Sequence, residues 1–401
     1  MAGLYLHIPF CKSRCIYCGF YSTTFHDLME DYVDALSREM VLRNTPPHSS
    51  LHPFPSSSLP SPSSFLPPPS STIKTIYLGG GTPSLLSPAL LRQLFYNIYK
   101  VYEVATDAEI TLECNPDDIT PEYAEALKAL PVNRVSMGAQ TFSDDRLRFL
   151  HRRHTSSQVR TAVDLLRRND FQNISIDLMF GFPQETMKDW QDDIRQVLEL
   201  DVEHLSAYSL MVEEGTPLAQ WTMDHGQWIM PEEELEREMY ETLIDRLEGA
   251  GYEHYEISNF AKIGFRSRHN SSYWNDTPYI GIGAAAHSYS PPVLHPQGLG
   301  TRSWNVADIR QYIEGMKQGK RIFEEEVIDA DTHYNDLVTV ALRTREGLDL
   351  SALSEKHRMY AIKNARRFIN DGLLELTDNR LHLTRRGLFV SDMIMSELMI
   401  C

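Results

Sequence analysis

Apolar and polar positions alternate regularly along the first half of this chain. Short runs of β-branched and apolar residues stand at "LYLHIP", "TIKTIYL", "AEITLE", "NRVSMGA", "NISIDLMF" and "HLSAYSL". Between them lie stretches of helical period at Leu28–Arg43, Ser87–Val101, Pro121–Leu130, Ser156–Arg168 and Met187–Leu200. Near-continuous apolar strands that alternate with such stretches predict parallel β/α units whose sheet is covered by helices. Six strand runs before Leu210 suit a partial (β/α)6 barrel better than a complete eight-fold one, so the fold class is α/β.

After Leu210 the pattern changes. Pro231–Ala250 predicts a charged amphipathic helix, and a Gly- and His-rich stretch follows that includes "RHNSSYWNDTPYIGIGAAAHS". From Asp331 the chain reads helix, turn, helix, and then "DGLLELTDNRLHLTRRG", a β-hairpin around "TDNR". That order predicts a small α+β, winged-helix-like module over residues 331–401. Residues 1–45 and 73–230 are assigned to the barrel, 231–330 to a linking region, and 46–72 to an insertion. The insertion holds nine prolines and ten serines, which bury little and remove backbone donors, so a solvated loop is expected there.

Charge and cysteine content narrow the function. A formal net charge of −17 speaks against broad attraction to nucleic acid, and the C-terminal module carries no basic face. The longest apolar runs fall far short of a membrane span. Five cysteines, three of them crowded near one end, suit a reducing, cytoplasmic compartment better than a disulfide framework, and the cluster leaves no room for a secretory leader.

Those three are Cys11, Cys15 and Cys18, spaced C-x3-C-x2-C directly behind the first strand. A structural zinc site commonly draws on paired knuckles, and no second knuckle exists here; a catalytic zinc on three thiolates remains open on the residues alone. An iron–sulfur cluster fits better, because thiolates on short loops hold it, and three thiolates on four irons leave one iron free for a small molecule. One β/α unit later comes "YLGGGTPSLL", where Gly80, Gly81 and Thr82 expose backbone N–H groups at a strand end. Glu113, Gln140 and Asp177 end or nearly end successive later strands, where β/α barrels gather their active sites.

"YLHIPFC", "GGGTPS", "ECNP", "MGAQTF", "SIDLMFGFPQET" and "LSAYSL" together resemble the radical S-adenosylmethionine (SAM) superfamily, in the branch that holds oxygen-independent coproporphyrinogen III oxidase and the related haem chaperones. The resemblance covers nearly the whole chain. It implies a 4Fe–4S cluster on Cys11, Cys15 and Cys18, and a SAM pocket lined by Tyr5, Tyr17, Gly80, Gly81, Thr82, Glu113, Gln140, Arg152 and Asp177. The oxidase extends its motif to a fourth cysteine, where this chain has Phe20, and precedes its first strand with an extension, whereas this chain reaches that strand at Leu4. "RHNSSYW" matches the H-N-x-x-Y-W pattern of the chaperones and makes His269, Asn270, Tyr273 and Trp274 candidates for haem contact, with His7 and His287 as weaker ligand candidates. The expected function is therefore haem binding and delivery to haem-acceptor proteins, among them membrane-associated respiratory enzymes, with oxidative decarboxylation of coproporphyrinogen III as the alternative.

Overall fold

The structure is a computed structural model that describes residues 2–44, 72–225, 230–292 and 299–400. The Pro/Ser-rich insertion lies outside the described residues except for Thr72. Six parallel strands form the middle of one large sheet: β1 (Ala2–Ile8), β2 (Ile73–Gly80), β3 (Val104–Cys114), β4 (Arg134–Gln140), β5 (Ile174–Phe180) and β6 (His204–Ser209). Their order along the sheet is their order in the chain. Helices α1 (Met29–Asn44), α2 (Pro88–Val101), α3 (Pro121–Lys128), α4 (Asp144–Phe149), α5 (Ser156–Arg168) and α6 (Met187–Glu199) lie between successive strands.

Strand β1 illustrates why the sheet has two unlike faces. Leu4, Leu6 and Ile8 are fully buried in the large core that also takes in α1 and α2. Gly3, Tyr5 and His7 alternate onto the other, inner face, as the two-residue period of a strand requires. Helix starts are set locally. Thr155 with Gln158, and Thr186 with Asp189, make capping boxes that open α5 and α6. Short α4 escapes the sequence pattern because six residues hold too few turns to display a period.

The sheet extends on both sides. After α7 (Pro217–His225) and α8 (Glu233–Gly249), strands β7 (Glu253–Glu256) and β8 (Asn259–Ala261) join beside β6. Past the short α9 (Arg268–Tyr273), β9 (Tyr279–Ile282) pairs parallel with β1, and β10 (His287–Ser290), β11 (Gly300–Asn305) and β12 (Phe323–Ile328) continue antiparallel beyond it. The twelve-stranded sheet thus ends at β12 and β7 among the described residues, an open rather than closed barrel. Residues 231–330, expected as a linking region, hold six of its strands. Strands of three to six residues carry too little alternation to be read from sequence.

Helix α10 (Ile309–Lys317) packs on α1. The C-terminal module has its own core, built on α11 (Ala330–Ala341), α12 (Glu355–Asn370) and α14 (Ser391–Leu398), with α13 (Arg385–Leu388) between the last two. They pack with a three-stranded antiparallel sheet of β13 (Leu348–Asp349), β14 (Leu374–Thr377) and β15 (Arg380–Leu383). The expected hairpin is β14–β15, and its turn residues Asp378 and Asn379 both take left-handed φ, 51° and 62°, which Asp and Asn tolerate. Backbone bonds from Ile257 N to Arg343 O (3.0 Å) and from Arg345 N to Tyr255 O (3.1 Å) fasten the module to β7 and the turn after it.

One buried carboxylate ties β9–β12 to the barrel. Glu39 of α1, fully buried, accepts from Gly283 N (2.9 Å), Asn305 Nδ2 (2.9 Å) and Tyr312 OH (2.6 Å), and faces Arg43 and Arg321 at 3.3 and 3.5 Å. Removing one member of such a network strands the others without water. The expected outcome for Glu39→Ala is a loss of about 3–5 kcal/mol of stability, measured by urea unfolding followed by far-UV circular dichroism.

Candidate functional site

The carboxyl ends of β1–β5 open onto a cavity of about 240 Å³. Its lining includes Tyr5, Gly80, Gly81, Thr82, Glu113, Gln140, Arg152 and Asp177, so eight of the nine expected SAM-pocket residues share one space. Phe20, from the cysteine loop, also lines it. Tyr17 does not. Its ring packs against the small apolar cluster of Ile16, Leu150 and Met179, and burial raises its pKa, with the Arg152 charge, Cys15, Cys18 and Asp177 also acting on it, so it borders the cavity without lining it.

The glycines are there for clearance. A Cβ at Gly81 would stand 2.7 Å from the backbone of Pro9 and Phe10, and one at Gly80 would stand 2.5 Å from the His7 ring. Gly80 also takes a φ of +114°, which L side chains rarely adopt. The Gly-rich strand end can therefore slide beneath the cysteine loop, where Gly81 N donates to Ile8 O (2.9 Å) and Thr82 N to Phe10 O (2.7 Å). The loop is held from its other side by Cys11 N donating to Thr23 O (2.9 Å) and by Lys12, which pairs with Asp118 at 3.0 Å.

Cys11, Cys15 and Cys18 are all partly exposed free thiols. The Thr82 hydroxyl stands 3.8 Å from the Cys11 sulfur, and Arg152 Nη1 stands 3.6 Å from that of Cys15. The same guanidinium donates to Gly138 O (2.8 Å) and to the Asn115 side chain, while its Nε finds no partner. Among the described residues, no three His, Cys, Asp or Glu converge as they would around one metal ion. The donor set on this loop is three thiols without imidazole or carboxylate, next to a cavity and an arginine with a spare donor. That chemistry fits a thiolate-held cluster with an open iron.

Two carboxyl groups face the same cavity. Glu113 accepts from Tyr77 OH (2.7 Å) and from Gly80 N (3.0 Å), and burial pushes its pKa up to about 7. Asp177 is pushed up to about 6, again chiefly by burial, with Arg134 and a bond to Ser206 pulling the other way. Desolvation at the cavity wall thus raises both acids toward neutrality, and a bound cation would favour their ionised forms.

The H-N-x-x-Y-W stretch lies beneath the cavity, outside its lining. His269 is 1% exposed. Its Nδ1 is hydrogen-bonded to Thr75 Oγ1 (2.8 Å) and its Nε2 to Tyr273 OH (2.9 Å), and its ring stacks on Tyr77 at 5.1 Å. With both ring nitrogens engaged and burial lowering its pKa to about 3, this is a histidine that plugs the barrel interior, not an open iron ligand. Tyr273 packs edge-on against Tyr279 (4.7 Å), and Trp274 lies 6.2 Å from the Tyr255 ring. Asn270 N is taken by the Ser267 hydroxyl (3.3 Å) as α9 begins. These four residues, expected for haem contact, pack in and around α9. His7 is also satisfied, between Tyr5 OH and Tyr21 O at 2.9 Å each.

Sequence reasoning singled out neither Asn115, which anchors Arg152, nor Gly138, where a Cβ would stand 2.5 Å from Gln140 Nε2 and 3.2 Å from Arg152 Nη2. Both sit inside the strand-end motifs "ECNP" and "MGAQTF". The left-handed φ of Gln140, +67°, aims that residue in a way that no propensity signals.

Fold and site together define a protein of the radical SAM superfamily, whose family model matches residues 69–197, followed by a match to the HemN C-terminal domain over residues 328–390. The chain is 34% identical over 394 residues to heme chaperone HemW of Bacillus subtilis (96% of each chain) and 31% identical over 315 residues to that of Escherichia coli (78% of this chain, 76% of the other). The chain belongs to the HemW family. The solved structure of coproporphyrinogen III oxidase (HemN) from Escherichia coli is similar at a TM-score of 0.79, covering 99% of this chain and 89% of that one; at 22% identity this speaks to the fold alone.

The raised pKa of Glu113 carries a sign. A carboxyl that titrates near 7 when folded, against 4.5 ordinarily, favours the folded state below about pH 4.5, and that contribution is lost as pH rises through about 7. In the ligand-free protein, Glu113→Gln is therefore expected to raise Tm relative to the parent at pH 8 more than at pH 4.5. Melting curves at the two pH values check this; equal shifts would remove Glu113 as the titrating group.

Proposed function

We propose that this protein is a haem chaperone that holds a 4Fe–4S cluster on Cys11, Cys15 and Cys18, binds SAM in the adjoining cavity, and passes haem to haem-acceptor proteins. The single observation that carries the reading is the three-thiol loop opening directly on the cavity that gathers Gly80, Thr82, Glu113, Gln140, Arg152 and Asp177. A cluster with one iron not held by protein supplies a site for SAM and an electron for its cleavage.

The chain's own groups then divide the work. Arg152 lies 3.6 Å from the Cys15 sulfur and positions a guanidinium donor between the cysteine loop and the cavity. Gly80, Gly81 and Thr82 shape the strand end, their N–H groups already donating to Glu113, Ile8 O and Phe10 O. Glu113 and Asp177 supply the acidic wall against which an ammonium or ribose hydroxyl group sits, and a bound cation draws both acids into the ionised form. Tyr5 closes the wall from β1.

The acceptors are haem proteins, with membrane-associated respiratory enzymes as the first class to try, and the site of action is the cytoplasm. No helix among the described residues is long and apolar enough to cross a membrane. The alternative, oxidative decarboxylation of coproporphyrinogen III, rests on the shared fold. Against it stands Phe20, 71% exposed at the position of the oxidase's fourth cysteine.

Anaerobic reconstitution tests the reading. The parent protein is expected to hold about four irons and four sulfides, to bind SAM, and to transfer haem to an apo-acceptor without forming porphyrinogen product. Cys15→Ala is expected to lose the bound iron and at least tenfold in SAM affinity, while keeping the parent's melting curve before reconstitution. Decarboxylated product at catalytic turnover would overturn the chaperone reading.

A further inference from the structure

With His269 and His7 both occupied, a haem carrier of this family still needs a surface for its cargo. The inner face of the sheet continues past the cavity onto β9, β10 and β11. Register places Tyr5 opposite Gly281, Tyr279 opposite Tyr289, and His287 opposite Trp304, so these residues share one face. His287 opens β10, at the same end of the sheet where β1 runs into the cysteine loop.

Its surroundings differ from those of the other two histidines. The imidazole is exposed. No hydrogen bond reaches either ring nitrogen among the described residues. The ring lies 22° from parallel to the Trp304 indole, with centroids 5.7 Å apart. Partial burial and the charge of Arg302 hold its pKa below the ordinary value, which keeps a nitrogen lone pair free near neutrality. A neutral, exposed imidazole fixed by an aromatic plate on one side is built as an iron ligand is built, with its orientation set in advance. A bound macrocycle lies roughly perpendicular to the imidazole that ligates it, so Trp304 can brace the ligand without blocking the metal. Phe20, exposed at the same end of the sheet, offers an apolar surface of the kind a porphyrin face packs on.

We propose that His287, braced by Trp304, is the axial ligand through which an iron porphyrin docks on the inner face of the sheet beside the cysteine loop. This rests on the haem-chaperone reading and replaces its expected ligand. Single-histidine ligation on an open face suits a carrier, because an acceptor's own ligands can approach the opposite face of the macrocycle.

The test titrates haemin, in the ferric state and again after dithionite reduction, into the full-length protein and its variants, following the Soret band. His287→Ala is expected to weaken haem binding at least tenfold and to shift the band, and added imidazole is expected to restore the parent spectrum. His269→Gln, which keeps a buried hydrogen-bonding side chain, is expected to bind with the parent's affinity and band position. If the parent binds haem and His287→Ala matches it in affinity and spectrum, the ligand lies elsewhere and the inference falls, while the chaperone reading stands. If the parent does not bind haem, both fall.

Discussion

The guanidinium of Arg152 joins three elements at the mouth of the cavity. It reaches Asn115 at the end of β3, the carbonyl of Gly138 in β4, and the thiol of Cys15 on a loop that follows β1. Each of these comes from a different β/α unit, so the arginine fixes strand ends that the sheet alone would leave to their loops. A planar fork of donors suits this better than a lysine ammonium, because several acceptors must be met at fixed angles. The small residue at Gly138 is part of the same solution, since any Cβ there would collide with Gln140 and press on the guanidinium. Lys12 and Arg153, both paired with Asp118 after β3, repeat the device one layer outward, clamping the cysteine loop and the Arg152 segment to a common carboxylate.

Beneath the cavity the barrel interior is polar to an unusual degree. His204 bridges Ser175 and the Tyr255 hydroxyl at 2.7 Å each, and His269 bridges Thr75 and Tyr273. Arg134 is 1% exposed in this interior, with Nε and Nη1 lacking partners. Its charge depresses both buried histidines and pulls Asp177 and Glu113 toward ionisation. The two cavity acids are thus held in balance. Burial raises both pKa values toward neutrality, and one buried cation below limits that rise. An apolar floor would have removed that second influence, at the cost of pushing both acids further from a charged state.

What was legible in the sequence was whatever is local. The six parallel strands, most of their helices and the C-terminal hairpin follow from short-range periodicity and turn chemistry. Cys11, Cys15, Cys18 and the Gly80–Thr82 turn follow from spacing that one loop or one strand end must satisfy. The misses have a common cause. The strands within residues 231–330 and the buried contacts of His269 are decided by neighbours far along the chain, which short-range pattern does not record. A polar residue facing the inside of a barrel and a polar residue facing a ligand are written identically in sequence. Arg134 and Asn115 were passed over for the same reason.

The two tasks of the proposed function fall at two places on the sheet. The cysteine loop and its cavity belong to β1–β5, while the open imidazole of His287 belongs to β10, on strands that join the barrel through β9 and are locked to it by Glu39. Chemistry at the cavity needs exclusion of water and tight positioning, which the glycine clearances and the Arg152 fork provide. Hand-over of a large planar cargo needs the opposite, an open face with one firm point of attachment. Both places lie on one continuous sheet, at the same end of neighbouring strands, with the hydrogen-bonded pair Tyr5 and His7 on the strand between them. On the proposed reading, an open face with one fixed imidazole suits hand-over of a planar cargo better than its consumption.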